Sequence, residues 1–224
     1  MGTSMKFKCL VVDHDDTVVN STATVHFPCF QEYLQKYFPE KYAHGYTLEE
    51  YFVKNYDPGI ESLFSDEIGL TPEEMEEEQQ LWSLYVKDHI PEAYPGMREI
   101  LWEYKKAGGI LCVSSHSYSE NILRDYESND LPKPDRIFGW ELPREQRKPF
   151  PYSLETILTE FHLQPEDLLM LDDLKPGCDM AKSMGVPFAA AGWAYEIPEI
   201  EQSMRQSCDY YLKTVEELRQ LLAV

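Results

Sequence analysis

The sequence is poor in positive charge, in paired cysteines and in long apolar runs. Its 224 residues carry 20 lysines and arginines against 40 aspartates and glutamates, which gives a formal charge of −20. A surface that acidic repels phosphate backbones and argues against nucleic acid as a partner. It would also repel a small anion, so any phosphate site in this chain needs a local source of positive charge.

The five cysteines form no CxxC pair, and Cys9 and Cys112 lie inside apolar runs. This pattern predicts reduced, mostly buried thiols in a cytoplasmic protein and argues against a cysteine metal site. The first apolar run, residues 9–12, ends at Asp13 and is too short for a signal-peptide core or a membrane span. We therefore expect no membrane partner, and a monomer is only the default oligomeric state.

Strand and helix signals alternate from Tyr94 onward. A helical pattern over residues 97–106 is stopped by two glycines and followed by a short apolar run, and this order repeats down the chain. Such alternation predicts a parallel sheet covered by helices on both faces, an α/β, doubly wound, Rossmann-like core. The predicted strands cover residues 7–12, 110–113, 136–140, 168–171, 187–191 and 210–212.

Between the first two strands lies a long stretch with helical spacing and almost no strand signal. One helix start is especially clear, because Thr71 is a good N-cap, Pro72 occupies the first helical position and Glu74 completes a capping box. We predict an α-helical cap domain at residues 18–90, inserted into a core formed by residues 1–17 and 91–224. Specificity is expected in this cap, where Tyr51, Phe52 and Tyr56 either form a substrate wall or belong to the cap's own core.

Chemically active side chains follow four predicted strands or the loops after them, and ligands of open parallel sheets bind at that edge. Asp13 and Asp15 follow the first strand, two residues apart. Two carboxylates beside a metal suit phosphoryl transfer, because one can attack phosphorus while the other handles the leaving-group proton. A polar loop with no catalytic role is the alternative interpretation of this pair.

The other three positions supply hydroxyl, ammonium and carboxylate groups. Ser114 and Ser115 directly follow the second predicted strand and could hold phosphate oxygens, and Lys148 precedes a Pro-x-Pro segment. Asp172 and Asp173 end an apolar strand and offer the oxygen ligands that Mg²⁺ prefers, or else they cap a helix.

The order and spacing of these four positions resemble the haloacid dehalogenase-like hydrolase superfamily. Its pattern is Asp-x-Asp-Gly-Thr after strand one, Ser or Thr after strand two, Lys before Pro, and an acidic pair after strand four. The segment Tyr94–Met97 and the helix behind it resemble the phosphoglycolate phosphatase and β-phosphoglucomutase branch, which has a helical cap.

The resemblance implies a Mg²⁺-dependent phosphatase that acts on a small phosphorylated metabolite through an aspartyl-phosphate. Asp13 would be the nucleophile, Asp15 the general acid and later the base, and Lys148 a clamp on nucleophile and phosphate. Phosphate or substrate would contact Ser114, Ser115 and Lys148. Mg²⁺ would be held by Asp13, Asp15 through its backbone carbonyl, and the pair Asp172 and Asp173, of which Asp173 matches the direct ligand better.

Two departures from the family pattern concern this site. Asp16 stands where the family has glycine, either as a fourth carboxylate of the site or as a surface loop residue. Ser115 and His116 replace a common asparagine, which affects the expected phosphate contacts. His14, between the two key aspartates, is expected to point away from them.

Other functions remain compatible with these residues. A phosphomutase of the β-phosphoglucomutase type shares every core residue, and a phosphonate hydrolase would need an imine-forming cap lysine such as Lys36 or Lys54. A receiver-like regulatory domain also has acidic residues after strand one, but it is about half this length. A pseudoenzyme that only binds partners is disfavoured by the intact Asp13, Asp15 and Lys148.

Overall fold

The computed structural model describes residues 5–43 and 45–223. Six parallel strands form one sheet in the order β3-β2-β1-β4-β5-β6. Reversal of the strand order beside β1 is the mark of a doubly wound sheet, so the predicted α/β class is confirmed. The strands are β1 Cys9–Val12, β2 Ile110–Ser114, β3 Arg136–Phe138, β4 Leu168–Asp172, β5 Phe188–Ala191 and β6 Tyr210–Leu212.

The chain divides into two compact units, which we call the core unit and the helical unit. The core unit comprises the chain up to Asn20 and from Glu92 onward, and the helical unit is Ser21–Pro91. That the helical unit serves as a cap stays a prediction. The helices of the core unit are α6 Met97–Lys106, α7 Ser119–Ser128, α8 Tyr152–Glu160, α9 Lys175–Ser183, α10 Pro198–Arg205 and α11 Val215–Leu222, with 3-10 turns at Arg144–Gln146 and Pro165–Asp167.

The core unit is held together by residues that alternate along each strand. Leu10 and Val12 of β1 pack with apolar side chains of α6, α7 and α11, while Cys9 and Val11, which point the other way, are equally buried. Burial on both faces is what a parallel sheet covered by helices requires. Helix α6 fits this role because its buried positions recur at helical spacing, as in Met97, Ile100, Leu101 and Tyr104.

The helical unit has a core of its own that is rich in aromatic rings. It consists of α1 Phe27–Tyr37, α2 Pro39–Tyr42, α3 Leu48–Tyr56, α4 Ile60–Ser62 and α5 Pro72–Asp88, with π-helical turns at Thr22–His26 and Leu63–Ile68. Phe30 lies at its centre, with its ring centroid 5.0 Å from that of Tyr51 and 5.8 Å from that of Phe64. Tyr51 belongs to this buried cluster, as the interpretation of it as internal core expects.

The predicted capping box at the start of α5 is present. The Glu74 N–H donates to Thr71 Oγ1 at 3.2 Å, and the Thr71 N–H donates to Glu74 Oε2 at 2.8 Å. The predicted strand at residues 136–140 is shorter, because the chain turns at Gly139 so that the Trp140 N–H donates to the Ser117 carbonyl at 2.9 Å. Within residues 5–43 and 45–223, each helix is too short or too polar to cross a bilayer.

Candidate active site

The register of the sheet brings Asp13, Ser114 and Asp172 to one edge. Val12 of β1 is paired with Val113 of β2 on one side and with Leu171 of β4 on the other. The next residue of each strand is therefore the predicted site residue, and the Asp13 N–H still donates to the Leu171 carbonyl at 2.8 Å. The sheet alone thus positions three side chains that lie far apart in sequence.

The loop after β1 turns sharply just behind Asp13. The N–H groups of Val18 and Val19 both donate to the His14 carbonyl, and the Asp16 N–H donates to the Val19 carbonyl at 2.8 Å. Asp16 adopts the left-handed conformation with φ +55°, which glycine tolerates best and which Asp and Asn enter more readily than other residues. Asp16 is 2% exposed, so the interpretation of it as a surface loop residue is wrong.

His14 points away from the site, as expected, and forms a buried pair with α7. Its Nε2 lies 2.9 Å from Asp125 Oδ2, and the other oxygen of Asp125 accepts from the Arg124 guanidinium at 2.6 Å. The ring of Tyr126 stacks on His14 with centroids 5.9 Å apart. This pair anchors the loop between the two predicted catalytic carboxylates.

Lys148 lies between Asp13, the predicted nucleophile, and Asp172 of the acidic pair. Its Nζ lies 2.9 Å from Asp13 Oδ1 and 2.5 Å from Asp172 Oδ2, and all three side chains are almost fully buried. Burial alone would lower the pKa of Lys148, but the charges of Asp13 and Asp172 outweigh it and raise that pKa above its ordinary value. The two carboxylates therefore favour the charged form of the ammonium.

The two carboxylates at the end of β4 have different hydrogen-bond partners. Asp172 Oδ2 accepts from Lys148 and Asp172 Oδ1 accepts from the Leu174 N–H at 2.9 Å, so neighbouring groups hold both of its oxygens. Helix α9 packs directly over this carboxylate, because a Cβ on Gly177 would lie 2.1 Å from Asp172 Oδ2. Asp173 instead receives weaker contacts, from Thr17 Oγ1 at 3.4 Å and from the Tyr195 hydroxyl at 3.3 Å.

Among the described residues, Asp13, Asp172 and Asp173 form a group that fits a divalent cation. Each offers a carboxylate oxygen, and these oxygens lie within 4.8 Å of one another. Burial and the charge of Asp13 raise the pKa of Asp172 to about 7, in spite of Lys148. Burial and the charges of Asp16, Asp172 and Asp13 raise the pKa of Asp173 well above its ordinary value. Hard oxygen donors with an excess of negative charge are the chemistry that Mg²⁺ requires.

The predicted phosphate-binding serines lie beside the nucleophile but are engaged within the protein. Ser114 Oγ lies 3.1 Å from Ser153 Oγ on α8, and Ser115 Oγ accepts from the Ser117 N–H at 3.1 Å. The Ser115 N–H donates to the Phe138 carbonyl of β3. A phosphate role for either serine stays a prediction.

Ser117 and Thr17 were not predicted as site residues, yet both contact predicted site residues. Ser117 Oγ donates to Asp15 Oδ2 at 2.6 Å, and Thr17 Oγ1 donates to Asp173. Thr17 was part of the motif after strand one and was detectable by its position there. Ser117 lies three residues beyond β2 in a run of small polar residues, and nothing in its spacing distinguishes it.

Comparison with known proteins agrees with this geometry. The family model described as haloacid dehalogenase-like hydrolase matches residues 10–191, which is most of the chain. The match includes every predicted site residue. The chain belongs to the haloacid dehalogenase-like hydrolases. It is an enzyme of that hydrolase family by this measure, and the resemblance stated from its motifs is confirmed.

Individual relatives are more distant. The chain is 28% identical over 111 residues to a phosphoglycolate phosphatase of Mesorhizobium japonicum, and the match covers 48% of this chain and 49% of the relative. The chain thus matches about half the length of this curated relative. A haloacid dehalogenase-like hydrolase from Bacteroides fragilis superposes with a TM-score of 0.75 at 23% identity, covering 95% of this chain and 100% of that one. A haloacid dehalogenase-like family hydrolase from Streptococcus pneumoniae gives 0.72 at 16% identity, covering 96% and 98%.

Two aromatic residues that follow β5, Trp193 and Tyr195, contact residues of the candidate site. The Tyr195 hydroxyl donates to the Asp173 carbonyl at 3.2 Å, and Trp193 Nε1 donates to the Thr17 carbonyl at 3.1 Å. His116, which together with Ser115 replaces the asparagine of the family pattern, lies with Nε2 3.1 Å from the Lys148 carbonyl and its ring against Trp140. The first two contacts join the loop after β5 to the loops after β4 and β1, and the last two join the loop after β2 to Trp140 and to the segment that carries Lys148.

Proposed function

We propose that this haloacid dehalogenase-like hydrolase is a Mg²⁺-dependent phosphatase that hydrolyses a small phosphate monoester through an aspartyl-phosphate on Asp13. The observation that carries the proposal is the buried ammonium of Lys148, which lies between Asp13 and Asp172. It pairs with Asp13 Oδ1 and orients this carboxylate, as a nucleophile requires, within a group of oxygens suited to a divalent cation.

The protein side chains would share the work of two displacement steps. Asp13 attacks phosphorus, Lys148 balances the charge on the nucleophile and on the phosphoryl oxygens, and Asp15 protonates the leaving alcohol. In the second step Asp15 takes a proton from water, which attacks the phosphorus and releases the Asp13 carboxylate. Mg²⁺, held by Asp13, Asp173 and the Asp15 carbonyl with Asp172 beside them, would neutralise the charge of the phosphoryl group.

The substrate class is inferred from charge and from the relative. A protein with a formal charge of −20 can accept an anion only where a local cation offsets that charge, which favours a small ester over a polymer. The Mesorhizobium japonicum relative is a phosphoglycolate phosphatase, which supports a small phosphorylated metabolite as the substrate. The five free cysteines support a reducing compartment, and we propose the cytoplasm.

The test is hydrolysis of 4-nitrophenyl phosphate by the wild-type protein and by Asp13→Asn. We expect activity that needs Mg²⁺, disappears with EDTA, and falls on the order of 10³-fold or more in the variant, since a nucleophile is lost. Asp88→Asn, an exposed aspartate at the end of α5, is the matched control and should leave the rate unchanged. Activity that survives Asp13→Asn would refute the mechanism.

A further inference from the structure

Ser117 makes a short hydrogen bond to the predicted general acid, Asp15. Its hydroxyl donates to Asp15 Oδ2 at 2.6 Å, which is the length of a hydrogen bond to an ionised carboxylate. Ser117 is 6% exposed, whereas Asp15 is half-buried, so solvent reaches the aspartate more easily than the serine. The two residues come from different loops, after β2 and after β1.

The backbone of Ser117 is fixed on both sides. Its N–H donates to Ser115 Oγ at 3.1 Å, and its carbonyl accepts from the Trp140 N–H at 2.9 Å. Gly139 packs against the same carbonyl so closely that a Cβ there would lie 2.8 Å from the Ser117 oxygen. A hydroxyl on such a constrained segment can define the direction of its acceptor.

Asp15, as an acid–base group on the loop after β1, needs its carboxyl group to be held in one direction. Asp15 precedes a residue in the left-handed conformation, and its side chain is not enclosed as that of Asp13 is. A bond to one carboxyl oxygen restricts rotation of the whole group and so directs the second oxygen. Proton transfer depends on this geometry as well as on acidity.

We propose that Ser117 is a positioning residue that orients Asp15 for proton transfer. The proposal rests on the proposed function. In the first step the bond between phosphorus and the leaving oxygen breaks as the Asp13 oxygen bonds to phosphorus, and the Asp15 proton passes to the leaving oxygen. In the second step a water proton passes to Asp15, the water oxygen bonds to phosphorus and the bond to Asp13 breaks.

The consequence is a dependence on the leaving group. A nitrophenolate leaves without a proton, whereas a phenolate from unsubstituted phenyl phosphate benefits from one, and the two esters have nearly the same shape. The ratio kcat/KM reports the first displacement, so it separates proton donation from substrate fit. Loss of the Ser117 hydroxyl should therefore slow phenyl phosphate selectively.

The experiment measures kcat/KM for 4-nitrophenyl phosphate and phenyl phosphate with Mg²⁺. For Ser117→Ala we expect a loss of about 10-fold or more on phenyl phosphate and under about 3-fold on the nitro ester, a part of the 10²–10⁴-fold effect of a general acid. Ser117→Thr, which retains the hydroxyl, should restore most of the rate. Ser119→Ala is the control, because Ser119 lies in the same segment and donates to Glu141 instead.

Equal losses on both esters, or no loss on either, would overturn the positioning role while leaving the phosphatase function intact. An inactive wild-type protein, or full activity in Asp13→Asn, would instead remove the proposed function and this inference with it. Should Ser117→Ala fail to fold, Ser117→Cys keeps the shape with a weaker donor and carries the same expectation.

Discussion

Acidic residues are abundant in both units, but the two units place them in opposite environments. At the carboxyl edge of the sheet in the core unit, Asp13, Asp172 and Asp173 are 4%, 0% and 3% exposed. On α5 of the helical unit, Glu73, Glu76 and Glu77 are exposed. Both sets contribute to the formal charge of −20, yet only the first set lies within reach of a buried ammonium.

The comparison shows that burial, and not the number of charges, makes a chemical site. An exposed carboxylate keeps its water and costs the folded state little. A buried carboxylate loses its water and must be neutralised by a proton, an ammonium or a metal ion. The helical unit, whose core is an aromatic cluster, avoids this cost almost everywhere, whereas the core unit accepts it at one edge of its sheet.

The largest effect on stability that separates the two units is expected from their lysines. Lys148→Gln removes the ammonium from between two buried carboxylates and should lower the free energy of unfolding by about 3 to 5 kcal/mol. Lys54→Gln breaks the ion pair with Glu67, whose side chains are 32% and 42% exposed, and should cost less than about 1 kcal/mol. Urea unfolding of metal-free protein at pH 7.5 measures both.

The two variants test each other. Similar costs for Lys148→Gln and Lys54→Gln would show that the carboxylates around Lys148 are protonated or hydrated in solution. In that case the charge of Lys148 would not stabilise Asp13 as the proposed nucleophile. Addition of Mg²⁺ should recover part of the loss in Lys148→Gln and none of the loss in Lys54→Gln.

The second prediction concerns pH. Because burial raises the pKa of Asp172 from 3.8 to about 7, the folded protein holds this proton more tightly than the unfolded chain does. The stability that comes from it is complete below the ordinary pKa and is lost as pH rises toward 7. Metal-free protein should therefore lose up to about 1.4 kcal/mol per pH unit per such group between pH 5 and 7.

Melting temperatures of EDTA-treated protein across this range provide the measurement. A cation competes with the proton, so stabilisation by Mg²⁺ should grow from pH 5 to pH 7.5. Asp172→Asn should flatten the decline in metal-free protein. A melting temperature that rises over the same interval in wild-type protein would contradict the raised pKa.

Sequence patterns predicted the sheet and the main site residues because both follow from local signals. Apolar runs that end in Asp13, Ser114 and Asp172 mark the carboxyl ends of strands, and parallel register then brings those ends together. The predicted start of helix α5 also agrees with the structure, because the capping box that begins at Thr71 is recognisable from residue types alone. Proximity at the sheet edge is thus available from the sequence without any long-range contact.

The remaining features depend on side-chain direction, which local patterns do not encode. The bond from Ser117 to Asp15 joins two loops, and it depends on a turn at Gly139 that shortened the predicted third strand. The buried position of Asp16 depends on a backbone with φ +55°, whereas its residue type alone suggested an exposed loop. The different surroundings of Asp172 and Asp173 depend on where the fold places Lys148 and Gly177, which local patterns do not show.

The smallest expected effect comes from Glu78 of α5, which is less exposed than its neighbours Glu76 and Glu77. Glu78 is half-buried, and its burial raises its pKa to about 7, although the nearby His26 opposes the shift. Glu78→Gln keeps the shape without the charge, so it should stabilise the protein at pH 8 by a few tenths to about 1 kcal/mol, and the effect should disappear below the ordinary pKa of a glutamate. Glu77→Gln, one residue earlier and exposed, should change nothing at either pH.

Unlike Asp172→Asn, Glu78→Gln should leave the stabilisation by Mg²⁺ unchanged, since the cation is expected in the core unit. A Glu78→Gln variant that altered the response to Mg²⁺ would show that desolvated carboxylates of the two units are coupled, and the contrast between them would need revision.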